Sequence, residues 1–530
     1  MQHYQLLLSR FIDHAARWHP TGEVVTGGGA YDGGSGTRIA YAPMRDRAFR
    51  LSGAIVAAGL ARGDRIATLA WNTQAHLEMW YAAFGIGVVC HTLNPRLSAA
   101  QLAQMIAQAG DRLLAASPDQ AEMVAELLPL CPSIEHVVLL DEPGPPTLPR
   151  APIAAPGVRV WSQAGFMDTA KVPAPWGGFG EDADAGLCFT SGTTGAPKGV
   201  VYTHRSNYLH TLNVLQADVM GIRKDDAVLA AVPMFHANGW GLPFAVPAVG
   251  ARFVLPGRHL DGASLAALIA REGVTLALGV ATVWLGLIDH LDRVGQSLPS
   301  LERVLLGGSS VPQALMDRIE DRLHVSVQTS WGMTELSPLG TVMPPHAPVR
   351  RSSQAGRPPV GVDLRVTDGQ GTALPVQRNA EGHLQVRGAS AVERYFGSDG
   401  SAVDAEGWFD TGDLATIDDD GILSITGRAK DLIKSGGEWI NPGEIEAIVG
   451  ALPAVGLVAV VGRAHPRWGE RPVVVLEQRQ GQSITDEEVE DALHGRIPRW
   501  WMPDAIVRLD RMPLAQTGKI DKQRLRHELG

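Results

Sequence analysis

The run Thr190-Ser191-Gly192-Thr193-Thr194-Gly195-Ala196-Pro197-Lys198-Gly199-Val200 gathers the means of holding a phosphate chain into one short stretch. Glycines let backbone N–H groups come close to an anion. The hydroxyls of Thr190, Ser191, Thr193 and Thr194 can donate to phosphate oxygens, and Lys198 adds a point charge. The run follows the apolar residues Gly186-Leu187-Cys188-Phe189. It is therefore expected to leave a strand end, where α/β sheets commonly take ligands. It is not a Walker loop, which needs Gly immediately before its Lys and Ser or Thr after it. Here Pro197 and Gly199 stand in those places.

Five further blocks follow in order. They are Pro233-Met234-Phe235-His236-Ala237-Asn238-Gly239-Trp240, Trp331-Gly332-Met333-Thr334-Glu335, and Gly407-Trp408-Phe409-Asp410-Thr411-Gly412-Asp413. Then come Gly427-Arg428-Ala429-Lys430-Asp431-Leu432-Ile433-Lys434-Ser435-Gly436-Gly437-Glu438 and Pro513-Leu514-Ala515-Gln516-Thr517-Gly518-Lys519-Ile520. With the glycine-rich run, these blocks resemble the adenylate-forming superfamily: acyl-CoA synthetases, peptide-synthetase adenylation domains and firefly luciferase. Ala70-Trp71-Asn72 and Leu93-Asn94-Pro95-Arg96-Leu97 extend the likeness towards the N-terminus. The resemblance implies an ATP-dependent acyl-CoA ligase. A carboxylic acid and ATP would give acyl-adenylate and pyrophosphate, and CoA would then take the acyl group and release AMP. ATP, Mg2+ and CoA are the implied cofactor and co-substrates.

The resemblance also implies roles, which charge and shape make intelligible. Thr190, Ser191, Gly192, Thr193, Thr194, Gly195 and Lys198 would hold phosphates. Glu335 is a magnesium ligand by type, since magnesium takes one or two protein oxygens plus phosphates and waters, and Thr190 would lie near the same ion. Thr329, Ser330, Trp331, Gly332, Met333 and Thr334 would border the nucleotide, Trp331 offering a flat face for adenine. Asp413 would accept from the ribose hydroxyls, with Arg428 and Lys434 nearby. Gly308 and Ser309 would border both adenine and the acyl site, which His236, Trp240 and Met333 would complete. Lys519 would stabilise the charge spreading over the α-phosphate. His236 would flank the carboxylate or the phosphate without acting as a base, because the acid is already ionised at neutral pH. Lys430 stands at the hinge, and Ser435, Gly436 and Gly437 would line the pantetheine path. Alone, Glu335 reads as a solvated acid, Trp331 as a core residue, Asp413 as a turn residue, Gly436-Gly437 as a turn and Lys519 as an exposed tail lysine.

The string Lys434-Ser435-Gly436-Gly437-Glu438-Trp439-Ile440, Trp240 and Arg499-Trp500-Trp501-Met502-Pro503 resemble medium- and long-chain fatty acyl-CoA synthetases. Ala281 replaces a proline common in that group. A medium- or long-chain fatty acid is the implied substrate. Aryl, arylalkanoic or methylthio-alkanoic acids, or an adenylation enzyme loading a carrier protein, are the alternatives. Gly239-Trp240-Gly241 offers no acidic partner for an amino acid's ammonium.

These residues need a scaffold. Apolar spacing predicts helices over 44–60, 73–86 and 99–108, alternating with strands over 65–70, 88–93 and 112–115. That rhythm predicts an α/β fold with parallel-type sheets covered by helices. Alternation of period two over 362–388 predicts a β-rich subdomain. Residues 142–156, rich in Pro and Gly, read as an irregular connection. Strands near 458–461 and 473–478 and a helix near 486–495 predict a small α+β unit at the end. The expected division is a large N-terminal domain over 1–428, a hinge at 429–430 and a mobile C-terminal domain over 431–530.

At 530 residues and net charge -10, the chain offers no global positive field to draw nucleic acid. Its three cysteines, Cys90, Cys131 and Cys188, form no C-x-x-C pair, which fits a reducing compartment. Cys188, beside the glycine-rich run, reads as a buried apolar residue ahead of a reactive thiol. No apolar run reaches the roughly 18–20 residues of a spanning helix. A cytoplasmic enzyme without stable membrane insertion is the expectation, and the resemblance leans towards a homodimer.

Overall fold

The computed structural model describes residues 1–28, 36–141, 156–190, 197–308, 311–347, 350–479, 481–515 and 519–529. All of the expected connection over 142–156 except its last residue lies outside them.

The alternation of helix and strand builds two parallel sheets. In the first, Arg65–Leu69, Val89–Thr92, Leu113–Ala116, His136–Leu139, Arg159–Ser162 and Asp184–Thr190 run parallel, and Lys198–Thr203 closes one edge antiparallel. In the second, Glu23–Thr26, Ala227–Ala230, Arg252–Leu255, Leu276–Gly279, Arg303–Leu306 and Ser326–Gly332 run parallel between two antiparallel edges, Thr37–Ala40 and Leu339–Val342. Helix Gln74–Gly85 begins where Thr73 accepts the His76 N–H at 3.2 Å. It is buried on nearly every side and packs with strands of both sheets. That explains its apolar character all round, which an amphipathic surface helix lacks. Its one charged member, Glu78, is buried but accepts from Arg47 at 2.8 Å and from Gln74 and Gln163.

Asn72 joins the two sheets. Its amide donates to the Ala230 and Val232 carbonyls at 2.9 and 2.7 Å, and its oxygen accepts the Met234 N–H at 2.7 Å. One buried side chain thus fixes the chain entering His236.

The β-rich region is a five-stranded antiparallel sheet of Gln354–Gly356, Leu423–Arg428, Phe409–Ile417, Gly382–Gly388 and Val362–Thr367. A separate small C-terminal domain holds Ile433–Ser435, Glu438–Ile440, Val455–His465, Gly469–Gln478 and Ala505–Leu509, with helices Pro442–Gly450, Asp486–Leu493 and Lys522–Leu529. Its strands bury an apolar cluster of their own, including Ile440, Val460, Val474 and Leu493. Among the described residues no helix is long and apolar enough to cross a membrane.

Candidate active site

Strand Asp184–Thr190 does leave the first sheet at the glycine-rich run. It pairs antiparallel with Lys198–Thr203, and Thr190 stands opposite Lys198. Ser191, Gly192, Thr193, Thr194 and Gly195 lie outside the described residues, as does Ser309. Gly199 is required by space: a Cβ there would sit 2.9 Å from the Phe396 Cβ, and the Phe396 N–H donates to the Gly199 carbonyl at 2.7 Å. Cys188, just before the run, is 2% exposed, and burial pushes its thiol up, away from the reactive thiolate.

From Lys198 a chain of contacts leads to Glu335. The Lys198 ammonium lies 5.0 Å from the Tyr395 ring centre. The Tyr395 hydroxyl donates to Glu335 Oε1 at 3.1 Å. Glu335 is not a solvated loop acid: it sits on the short 3-10 turn Thr334–Leu336 and is 8% exposed. The turn is pinned by the Tyr202 hydroxyl on the Thr334 carbonyl, 2.8 Å, and by the Val392 N–H on the Glu335 carbonyl, 2.7 Å. Gly332 allows it, since a Cβ there would meet the Pro338 carbonyl at 2.2 Å. Met333 packs beside Trp331 and Leu336.

Asp413 occupies strand Phe409–Ile417, not a turn, directly opposite Arg428. Its oxygens are divided: Oδ1 takes Arg428 Nε at 2.6 Å, and Oδ2 takes the Trp331 indole N–H at 2.8 Å. Trp331 is 8% exposed and its ring covers Gly340, where a Cβ would clash at 2.3 Å. Its indole N–H holds Asp413, and most of the ring is covered. Burial raises the Asp413 carboxyl, while Arg428, Trp331, Lys519 and Lys430 pull it back down.

Lys519, far off in the chain, reaches this cluster. Burial, Arg428 and Lys430 lower its ammonium, and Asp413 and Glu335 raise it, with the net shift downward. Its Cε lies 3.9 Å from where a Cβ on Gly308 would stand, beside Trp240 and Val280. His236 is neighbour to the same ammonium, and burial, with Lys519, pushes its imidazole down to about 4. It is therefore neutral at neutral pH and brings no charge of its own to the site.

Trp240 is carried on a left-handed turn. Ala237, Asn238, Gly239, Trp240 and Gly241 have φ of +44°, +52°, +56°, +56° and +76°. L-residues pay about 1–2 kcal/mol each for this conformation, so the surroundings must impose it. The turn lays the Trp240 ring on Gly307, where a Cβ would come within 2.9 Å of the ring and 2.4 Å of the Ser330 hydroxyl. Ser330 donates to the Leu306 carbonyl at 3.0 Å, and Thr329 donates to the Gln354 carbonyl. Both hydroxyls are thus used within the protein.

The structure therefore brings together Thr190, Lys198, Glu335, Trp331, Asp413, Arg428, Lys430, Lys519, Gly308, His236 and Trp240. The Lys434 ammonium lies 5.3 Å from the Trp439 ring centre. Ser435, Gly436 and Gly437 share its hairpin, with Trp468, Glu470 and Arg471 as neighbours. Tyr395 and Tyr202 were missed from the sequence, since neither falls in a block; Asn72 lay within the quoted likeness without its sheet-joining role being visible.

Comparison with known proteins finds relatives over nearly the whole chain. The family described as AMP-binding enzyme matches residues 12–396, and the AMP-binding enzyme C-terminal domain matches 444–519. The chain is 40% identical to the 3-methylmercaptopropionyl-CoA ligase of Ruegeria lacuscaerulensis, covering 99% of this chain and 97% of that protein. It is 40% identical to the medium-chain-fatty-acid–CoA ligase of Ectopseudomonas oleovorans, covering 100% and 97%. The crystal structure of ATP-bound MatB from Rhodopseudomonas palustris shares the fold, with TM-score 0.82 at 24% identity and 99% of each chain covered.

Proposed function

We propose that this chain, which belongs to the AMP-binding enzyme family and is an AMP-forming acid–thiol ligase using ATP and CoA, activates a medium-chain or longer fatty acid. The observation that carries this reading is the Trp240 ring lying on Gly307 and Gly308 beside Val280, an apolar cover next to Lys519. Such a wall favours an unbranched apolar chain, with the carboxylate directed at the ammonium. A relative with a medium-chain fatty acid in its name supports the same class. A short methylthio acid is the second reading, favoured by the equally similar 3-methylmercaptopropionyl-CoA ligase.

In the first half-reaction a carboxylate oxygen attacks the α-phosphorus, the bond to the bridging oxygen breaks, and pyrophosphate leaves. The glycine-rich run with Lys198 cradles the β- and γ-phosphates. Lys519 meets the charge on the α-phosphate. Asp413 and Arg428 orient the ribose, and the neutral His236 lines the carboxylate without competing for its charge. Glu335 and Thr190 are hard oxygen donors that fit magnesium. Magnesium, when bound, offsets phosphate charge. In the second half-reaction the CoA sulfur attacks the acyl carbonyl and AMP leaves. On this reading the domain after Lys430 turns so that Ser435, Gly436 and Gly437 face the pantetheine arm.

A panel of straight-chain acids from C2 to C16, aryl acids and 3-methylmercaptopropionate, scored for AMP release with and without CoA, tests the substrate. Each added CH2 is worth about 0.8 kcal/mol, roughly fourfold. The expected result is a kcat/KM that climbs by about that factor per carbon from C4 and levels at medium length. Trp240→Ala should move the plateau to longer acids. A maximum at an aryl acid, or at 3-methylmercaptopropionate over octanoate, would overturn the fatty-acid reading.

A further inference from the structure

The Ser435–Gly437 turn is held from two sides by residues outside the six blocks. It joins Ile433–Ser435 to Glu438–Ile440, with Gly436 and Gly437 at φ +61° and +95°. On one side the Gly436 N–H donates to the Trp468 carbonyl at 2.8 Å, and the Trp468 ring fills the space where a Cβ would stand 2.8 Å away. On the other side is Arg471, on strand Gly469–Gln478, its side chain 13% exposed. Its Nη1 donates to the Ser435 hydroxyl at 3.2 Å and to the Trp500 carbonyl at 2.6 Å. Nη2 donates to the Met502 carbonyl at 2.8 Å, and Nε to Asp504 Oδ1 at 2.8 Å.

We propose that Arg471 is a positioning residue for thioester formation, tying the Ser435–Gly437 turn to the main chain of Trp500 and Met502 and to Asp504. The proposal rests on the reading that this turn lies beside the pantetheine arm. The chemistry suits arginine alone. A planar guanidinium offers five donors in a fixed fork, and here it spans a hydroxyl, two carbonyls and a carboxylate lying in different segments. A lysine ammonium cannot hold that spread. The Asp504 carboxylate is 30% exposed, so solvent screens the ion pair in part and it adds little stability by itself. Its direction matters more, because it fixes the plane of the fork and hence the angle at which Nη1 meets Ser435. Two-residue turns with positive φ at both positions are common hairpin loops, but their outer face is free to rock unless something anchors it. Arg471 and Trp468 supply that anchor, and they give the Arg-Trp-Trp-Met-Pro string a use: two of its carbonyls are the fixed points.

The test separates the two half-reactions in the full-length protein. Pyrophosphate exchange with octanoate reads adenylation, and preformed octanoyl-adenylate with CoA reads thioester formation. Arg471→Ala should slow thioester formation by about 10²-fold, the cost of a misplacement of about 1 Å. Most of the loss should fall in kcat, and adenylation should be unchanged. Arg471→Lys should fall between the two, and its melting temperature shows whether folding is intact. Parallel loss of both half-reactions, or thioester formation that survives in both variants, overturns the proposal. Gly437→Val separates it from the reading beneath. If that variant leaves thioester formation intact, the turn is not at the pantetheine arm and both fall. If it blocks that step while Arg471→Ala does not, only the role of Arg471 falls.

Discussion

Lys519→Ala slows acid-dependent pyrophosphate exchange by about 10²–10³-fold, the usual cost of removing one preorganised donor from a developing charge. Thioester formation from preformed acyl-adenylate keeps most of its rate. The asymmetry follows from where the ammonium lies. It is inside the cluster of Glu335, Asp413 and Arg428, and it faces Gly308 beside Trp240. In the first half-reaction charge spreads around the α-phosphorus under attack; in the second it ends on the phosphate of the departing AMP. In that step the sulfur attacks an activated carbonyl, and the proposed turn of the tail domain would carry Lys519 away. Stopped-flow or quench measurements of each half-reaction with octanoate check this. An equal loss in both would assign Lys519 to general folding or to substrate binding.

Glu335→Gln raises the magnesium concentration needed for half-maximal adenylation by more than about 10²-fold, because partners one step removed from a metal already cost about 10–100-fold. Gln keeps the shape and removes the charge, so saturating magnesium should restore part of the rate. Tyr395→Phe deletes only the hydroxyl that donates to Glu335 Oε1 and should cost about tenfold in the same titration. The pair of variants thus grades the site. Should Glu335→Gln lower the maximal rate with no change in magnesium dependence, Glu335 is not the metal's carboxylate. These tests read metal affinity, so they stand independently of the acid chosen.

Much of this site was legible because its parts are local. The glycine-rich run, the Trp-Gly-Met-Thr-Glu block and the Thr-Gly-Lys at the tail are contiguous strings, and contiguity is what a sequence displays. The sheets were legible for a similar reason: strands such as 65–69 and 113–116 are short apolar runs between helical stretches. What stayed hidden depends on pairs far apart in the chain. Tyr395 earns its place only because a bridge to Val200 sets it between Lys198 and Glu335. Arg471 reads as a surface cation until the turns at 435 and 500 fold around it. Asp413 looked like a turn residue after Gly412, whereas cross-strand pairing with Arg428 places it in a sheet. The left-handed turn at 237–241 ran against local rules at two positions, since Ala and Trp avoid a region that Gly and Asn visit. Tertiary contacts impose it, beginning with the Asn72 clamp on Met234. The contact of Lys434 with Trp439 was hidden for the same reason: cross-strand pairing sets one opposite the other.

The pH dependence of the two half-reactions tests the central claim most directly. Burial and the neighbouring Arg428 and Lys430 lower the Lys519 ammonium below its ordinary value of 10.5, so it loses its proton sooner as pH rises. In kcat/KM for ATP, which reads the free enzyme, adenylation should therefore fall on the alkaline side before pH 10.5. Thioester formation should instead rise or stay level over the same range, since a thiol of pKa about 8.5 becomes a better nucleophile there. An alkaline fall shared by both steps, or missing from adenylation, would contradict the assignment of Lys519 to the α-phosphate.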